Sequence, residues 1–421
     1  MRLLRRLLIA CWLVAVGAVL LFNVRLYCAS PLARHPSEAP PTLVAQLAAN
    51  RAALDAGSPA QMQKLFPEGF YFSYVFHGLT WVELAMRDPS HTRQAIDEAV
   101  GCLAQLESPA GREPFPPNLP PERGMFYSAW KCSLRAGIVV LQQGRDPNQL
   151  RDLQRDCDAI AATLGNSKTP FPPSYENAAW PCDTLPAIHA LAAYDRVTGE
   201  NRYRDVIAVW LSAARNRLDP ATGLFPHTAG LPDGQPGSVA RATSQVVILR
   251  YLPDIDPAFA RSQYQTFRDR FVTTFAGVPC VLEYPSGIEG PGDVDSGPLI
   301  FGRSPSATAM MMGIAQIYGD LPLADAIAQA GETVGMPWTS EGQKRYIGGQ
   351  LPIGDIIVAH AHVTRPWFAG QQHEPDVKYA VSSLWRWKTH ALSMVVLLPV
   401  IPFAIRRLRR KRNHSPTHPP G

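Results

Sequence analysis

None of the seven cysteines (11, 28, 102, 132, 157, 182 and 280) stands in a C-x-x-C pair, and no glycine-rich phosphate loop follows a strand. The first absence argues against a zinc ribbon or a thioredoxin-type site, the second against a nucleotide-binding fold. His360 and His362, two apart on a predicted helix, point different ways and make a poor metal pair. No cofactor is expected. Strand signals are weak throughout, which leaves an all-α architecture. Charge is also sparse, at 18% of residues, and the formal net +5 is made at the ends. Arg2, Arg5 and Arg6 lie at one terminus, and Arg406, Arg407, Arg409, Arg410, Lys411 and Arg412 at the other. With those set aside the body is slightly acidic, which argues against a nucleic-acid partner.

What is present is apolar: 46% of 421 residues, enough for a sizeable core. Leu7–Phe22 and Ala391–Ile405 are long apolar runs, each with its positive cluster on the terminal side. Both need flanking residues to reach the ~20 of a standard span. The positive-inside rule puts both termini in the cytoplasm and the body in the periplasm, as for a bacterial inner-membrane protein with two spans. A cleaved signal peptide is the competing reading of the first run, but no small-x-small site follows it. An odd number of cysteines in the body leaves at least one thiol free in an oxidising compartment. The expected organisation is an anchor at 1–28, a linker at 29–41, a helical domain at 42–368, a linker at 369–383, a second span at 384–405 and a basic tail at 406–421.

Within the domain, apolar segments at 70–87, 125–142, 187–197, 237–251, 304–318 and 353–364 alternate with amphipathic ones. The spacing predicts six inner and six outer helices, an (α/α)6 toroid, if Thr42–Ala56 closes the ring with the last pair. A superhelical solenoid of hairpins is the other arrangement of the same units. In a toroid the long proline- and glycine-rich loops that lead into the inner helices gather at one face and form a cleft.

The stretch Ser174-Tyr-Glu-Asn-Ala-Ala-Trp-Pro-Cys-Asp-Thr-Leu-Pro186 leads into the third inner helix, with Pro186 expected in its first turn. Cys182 and Asp183 then sit at a helix N-terminus, where free N–H groups make a thiol easier to ionise. The alternative is a buried thiol or half-cystine, with Asp183 as a cap. Glu176, Cys182, Asp183 and Asp295 are the candidate proton donors and acceptors, because breaking a C–O bond needs one group that keeps its proton and another that accepts one. Tyr175, Trp180, His77, Trp81, Tyr127, Trp130, Glu283, Glu289 and Asp293 are candidate substrate contacts. For the aromatics the competing reading is core packing. For the carboxylates of the Ser286–Gly297 loop it is turn capping or calcium binding.

From about Phe70 to Trp338 the chain resembles the bacterial linalool dehydratase/isomerase family. The resemblance is carried by Ala193-Tyr-Asp-Arg-Val-Thr-Gly199, Leu218-Asp-Pro220 with Gly223, Asp256-Pro-Ala-Phe259, Asp293-Val-Asp-Ser-Gly297 and Tyr318-Gly-Asp320. It implies an (α/α)6 barrel and acid–base removal of water from, or hydroxyl migration on, a small terpenoid alcohol. Cys182 matches the second of the family's two cysteines, and Glu283, Asp293 and Asp295 are also matched. The first cysteine falls at Pro173 and the family histidine near Trp130. A glycoside hydrolase or polysaccharide lyase acting on envelope glycan, and a binding module without catalysis, are the alternatives. The partners expected are therefore a small-molecule or glycan substrate and a lipid bilayer, with oligomerisation left open.

Overall fold

A computed structural model describes residues 2–35, 38–370, 381–382 and 384–398. The helices are α1 (Arg2–Arg25), α2 (Leu43–Asp55), α3 (Ser58–Leu65), α4 (Gly69–Arg87), α5 (Thr92–Leu106), α6 (Pro109–Arg112), α7 (Gly124–Leu141) and α8 (Pro147–Asn166). They continue with α9 (Pro181–Thr198), α10 (Arg204–Arg215), α11 (Ala242–Ile255), α12 (Pro257–Phe271), α13 (Pro305–Ile317), α14 (Leu321–Val334), α15 (Pro352–Val363) and α16 (Arg386–Leu397). Helices α4, α7, α9, α11, α13 and α15 pack each on the next, and α15 packs back on α4. The inner ring therefore closes, as a toroid requires and a solenoid does not. α5, α8, α10, α12 and α14 return along the outside, and α2 lies against α15 to complete the outer layer.

Local chemistry sets the helix starts. The Asp146 carboxylate accepts from the N–H groups of Asn148 and Gln149 ahead of Pro147, Asp256 accepts from Phe259 N–H at 2.9 Å ahead of Pro257, and the Ser304 hydroxyl accepts from Ala307 N–H ahead of Pro305. Two starts differ from the sequence pattern. The third inner helix begins at Pro181, so Pro186 lies inside it, and the fourth begins at Ala242. Phe259, Phe267, Phe271 and Phe275 recur at helical spacing, yet α12 stops at Phe271. Val272–Phe275 (β1) instead pairs antiparallel with Val278–Val281 (β2), where β-branched residues suit a pleated ribbon. A second ribbon joins Trp338–Ser340 (β3) to Gln343–Arg345 (β4).

The ring interior is filled. Trp130 meets Phe72, Phe76 and Tyr251 edge-on, and Phe76 also touches His360. At the end where the inner helices finish, residues 364–369 plug the ring. Buried Asp254 accepts from the N–H groups of Trp367, Phe368 and Ala369 and pairs with His189 at 3.1 Å. Buried Glu83 pairs with Arg250 and accepts from Trp367 Nε1. The opposite end, where the inner helices begin, is the mouth.

Outside the ring, Arg6–Arg25 is long and apolar enough to cross a membrane, and none of its residues is buried in the protein. Among the described residues it is the one such helix. Helix α16 pairs with it, and the rest of the expected second span and the basic tail lie outside the described residues.

Candidate active site

Four segments converge at the mouth: the start of α4, residues 172–183 leading into α9, the start of α11, and residues 283–304 leading into α13. Backbone bonds hold the second of these on both sides. Met125 N–H donates to Pro173 O at 2.9 Å, and Ala229 N–H to Ala179 O at 2.9 Å. Gly124, with φ +92°, lets α7 approach closely, since a Cβ there would lie 2.4 Å from Ser174 O. The loop before α13 is fixed by a reciprocal turn. Asp293 N–H donates to Ser296 Oγ, Ser296 N–H donates to Asp293 Oδ1, and Ser304 Oγ–H donates to Ser296 O.

These supports bring Asp183, Asp295 and Glu68 into one field. Asp183 is buried in the first turn of α9. Its pKa is raised to about 7, by desolvation first and by the negative fields of Asp295 and Glu68, against the opposing pull of a bond from Ser174. Asp295 is exposed on its loop, so water limits the upward push that the surrounding protein and the fields of Asp293, Glu68 and Glu283 give its pKa. Tyr175 donates to Glu68 and is held firmly protonated by burial and by the same three carboxylates. Among the described residues no cation pairs with Asp183, and Arg241 only partly offsets the field at Asp295.

Cys182 Sγ lies 3.8 Å from Asp183 Oδ1. Burial and the fields of Asp183 and Asp295 push this thiol well up, against a hydrogen bond from Ser244. The expectation of an easily ionised thiol is therefore reversed: neighbouring negative charge and desolvation outweigh the helix N-terminus. Cys182 is a protonated thiol at neutral pH.

Beside this group lies a paired one. Arg241 binds Glu283 Oε1 at 2.8 Å and also Asp293, and Thr243 donates to Glu283 Oε1 at 2.8 Å. Burial raises Glu283, whereas Arg241 and the Ser296 N–H hold Asp293 below its ordinary value despite desolvation. His227 Nδ1 lies 2.7 Å from Ser244 Oγ, and burial together with Arg241 lowers its pKa to about 4.

The other expected contacts are spread more widely. Trp180 immediately precedes α9 and meets Tyr175 edge-on. Glu176 and Glu289 are exposed on their loops, outside the carboxylate group. His77 accepts from Trp81 Nε1 and faces Glu98 of α5, so both belong to the layer between inner and outer helices. Tyr127 packs on Tyr71 and Phe115, while Trp130 fills the ring interior. Glu68 and Ser244 escaped the sequence reading. The available signal was position, since Glu68 directly precedes an inner helix, as the stretch holding Asp183 does.

No family model matches the chain, and no curated protein matches it. The resemblance to the dehydratase/isomerases rests on the motifs quoted above. Among solved structures, the chain is similar to the GH76 alpha-mannanase of Bacteroides thetaiotaomicron, with 9% identity and a TM-score of 0.46, covering 69% of this chain and 84% of that one.

Proposed function

We propose that this chain is an enzyme that breaks or rearranges a C–O bond by general acid–base catalysis, with Asp183 and Asp295 as the acid–base pair. The observation that carries this reading is a buried carboxyl, Asp183, raised to about 7 and sharing one negative field with the exposed Asp295 at the open end of the ring. Like charges in contact do not both ionise readily, so near neutrality one holds a proton while the other is ionised. In a dehydration, the protonated carboxyl gives its proton to the hydroxyl oxygen as the C–O bond breaks, and the carboxylate takes a proton from the adjacent carbon. Water and an alkene leave, and passage of the proton from the newly protonated carboxyl to the other resets the pair. Tyr175 and Cys182, whose hydrogens point to Glu68 and Asp183, hold those carboxyls in place beside the reacting group.

The substrate class this reading favours is a small, largely apolar alcohol, in line with the motif resemblance. A second reading, cleavage of a glycosidic bond, uses the same pair, and the water-exposed side of Asp295 favours it by leaving room for a large substrate. In both, α1 and α16 anchor the chain in the inner membrane with the ring in the periplasm.

The test is to incubate the full-length protein with tertiary terpenoid alcohols and, separately, with envelope glycans, following alkene or reducing-end formation. Asp183→Asn and Asp295→Asn are each expected to abolish turnover with the fold retained. Full activity in both variants would overturn the assignment. Cys182→Ala separates the two readings, slowing dehydration and leaving glycan cleavage intact.

A further inference from the structure

We infer that the mouth of the ring rests against the bilayer, so that the substrate is a membrane-partitioned amphiphile whose reacting C–O bond lies at headgroup depth. This deepens the acid–base reading and rests on it for the reaction alone. Two independent observations support the placement.

The first is where the apolar helices attach. Asn23 Nδ2–H donates to Ser393 Oγ at 2.8 Å, His390 Nδ1 lies 2.6 Å from Asn23 Oδ1, and Tyr27 Oη lies 2.8 Å from His390 Nε2. These contacts clamp α1 to α16. The pair docks on the last turns of α14, where Arg25 donates to Glu332 O at 2.6 Å and Thr333 Oγ–H donates to Arg25 O at 2.9 Å. It also docks on the β1–β2 ribbon, through Thr389 Oγ–H to Ala276 O at 2.8 Å. Outer helices run against inner ones, so the end of α14 lies on the mouth side. The β1–β2 ribbon leads directly to Glu283 and the Asp293–Asp295 loop.

The second observation is where exposed apolar side chains lie. The loops leading into the inner helices expose Leu65, Val294, Phe301, Met336, Trp338 and Ile347, with Phe301 75% and Trp338 69% accessible. The turns at the other end (88–91, 142–146, 199–203 and 318–320) expose no large hydrophobic residue among those described, Leu321 just beyond being the nearest. An aqueous surface gives no reason for this one-sidedness. A bilayer does, because interfacial aromatic and aliphatic side chains gain by leaving water. The raised carboxyls then meet a substrate that arrives from the lipid.

The experiment places the full-length chain in nanodiscs of phosphatidylcholine and phosphatidylglycerol containing a phospholipid with a photoactivatable diazirine near its headgroup. Crosslinked peptides are mapped by mass spectrometry. Crosslinks are expected at 300–303 and 334–338 as well as along α1 and α16, several-fold above those at 199–203. In Phe301→Asp/Met336→Asp the loop crosslinks fall several-fold while the thermal midpoint holds. Crosslinks confined to α1 and α16, or equal at both ends of the ring, overturn the inference and leave the acid–base pair untouched. Loss of turnover in Asp183→Asn reads that pair separately, and an absence of crosslinks on α1 refutes the anchor and the inference together.

Discussion

Replacing Asp183 by asparagine tests the electrostatics of the mouth without a substrate. A carboxyl whose folded pKa lies above its unfolded value holds its proton more tightly when folded. Its contribution to stability is therefore full below the unfolded value and declines as pH rises to the folded one. For Asp183 that window runs from 3.8 to about 7. At ~1.4 kcal/mol per unit, the wild-type chain loses up to about 4 kcal/mol across it from this residue. The amide of Asp183→Asn does not titrate. It keeps the size of the side chain and a carbonyl that can accept from Ser174. The variant should therefore gain on the wild type as pH rises, by several degrees in thermal midpoint between pH 4 and pH 8, since ~1 kcal/mol moves the midpoint of a large domain by about 2 °C. The assay is a thermal melt of full-length protein in detergent at each pH. Parallel pH profiles for the two proteins would refute the raised carboxyl and the proposed pair with it.

Other outcomes follow from the same geometry. Cys182 should alkylate slowly at neutral pH, and faster in Asp183→Asn, where one repelling charge is gone; rapid alkylation of the wild type below pH 8 would contradict the raised thiol. Arg250→Met should destabilise by about 3–5 kcal/mol, read by denaturant titration, because it strands Glu83, which is fully buried. A Cβ at Gly124 meets the Ser174 carbonyl in a left-handed backbone, so Gly124→Ala should cost at least ~1 kcal/mol and displace the loop that positions Asp183. The latter is checked by melting and by loss of turnover.

The ring itself was legible because its signal repeats. Six apolar segments, each followed by an amphipathic one and a loop of proline or glycine, specify both layers, and the observed inner helices α4, α7, α13 and α15 fall within a residue or two of the pattern. Legibility failed where a tertiary contact overrides a local one. Val272–Phe275 keeps helical spacing with the preceding phenylalanines, yet pairing with Val278–Val281 wins. Pro186 was placed in a first turn because proline interrupts helices, whereas α9 starts five residues earlier and carries it. The site was half legible. Asp183, Asp295 and Tyr175 come together as their loops suggested, but Glu176 points to solvent at the tip of the 175–178 turn and Glu68 takes its place. The thiol of Cys182 could not be judged from its helix position, because the deciding charges come from other loops.

The two ends of the ring treat buried charge in opposite ways, and the same helices serve both. Helix α9 carries Asp183 at the mouth and His189 at the plugged end, while α11 runs from Arg241 and Ser244 to Arg250 and Asp254. At the plugged end, opposite charges meet and backbone N–H groups satisfy the carboxylates, so that Asp254 is held far below the ordinary carboxylate range despite burial. At the mouth, Asp183, Asp295 and Glu68 share one field, no cation among the described residues pairs with Asp183, and its buried carboxyl is raised to about 7. Arg241 lies close enough to relieve them, yet it is spent on Glu283 and Asp293. A fold that pairs its buried charges at one end and leaves Asp183 buried beside like charges at the other bears a stability cost at the mouth. That cost has a use if the mouth must keep one carboxyl protonated and its neighbour ionised near pH 7, which is the condition acid–base chemistry on a C–O bond sets.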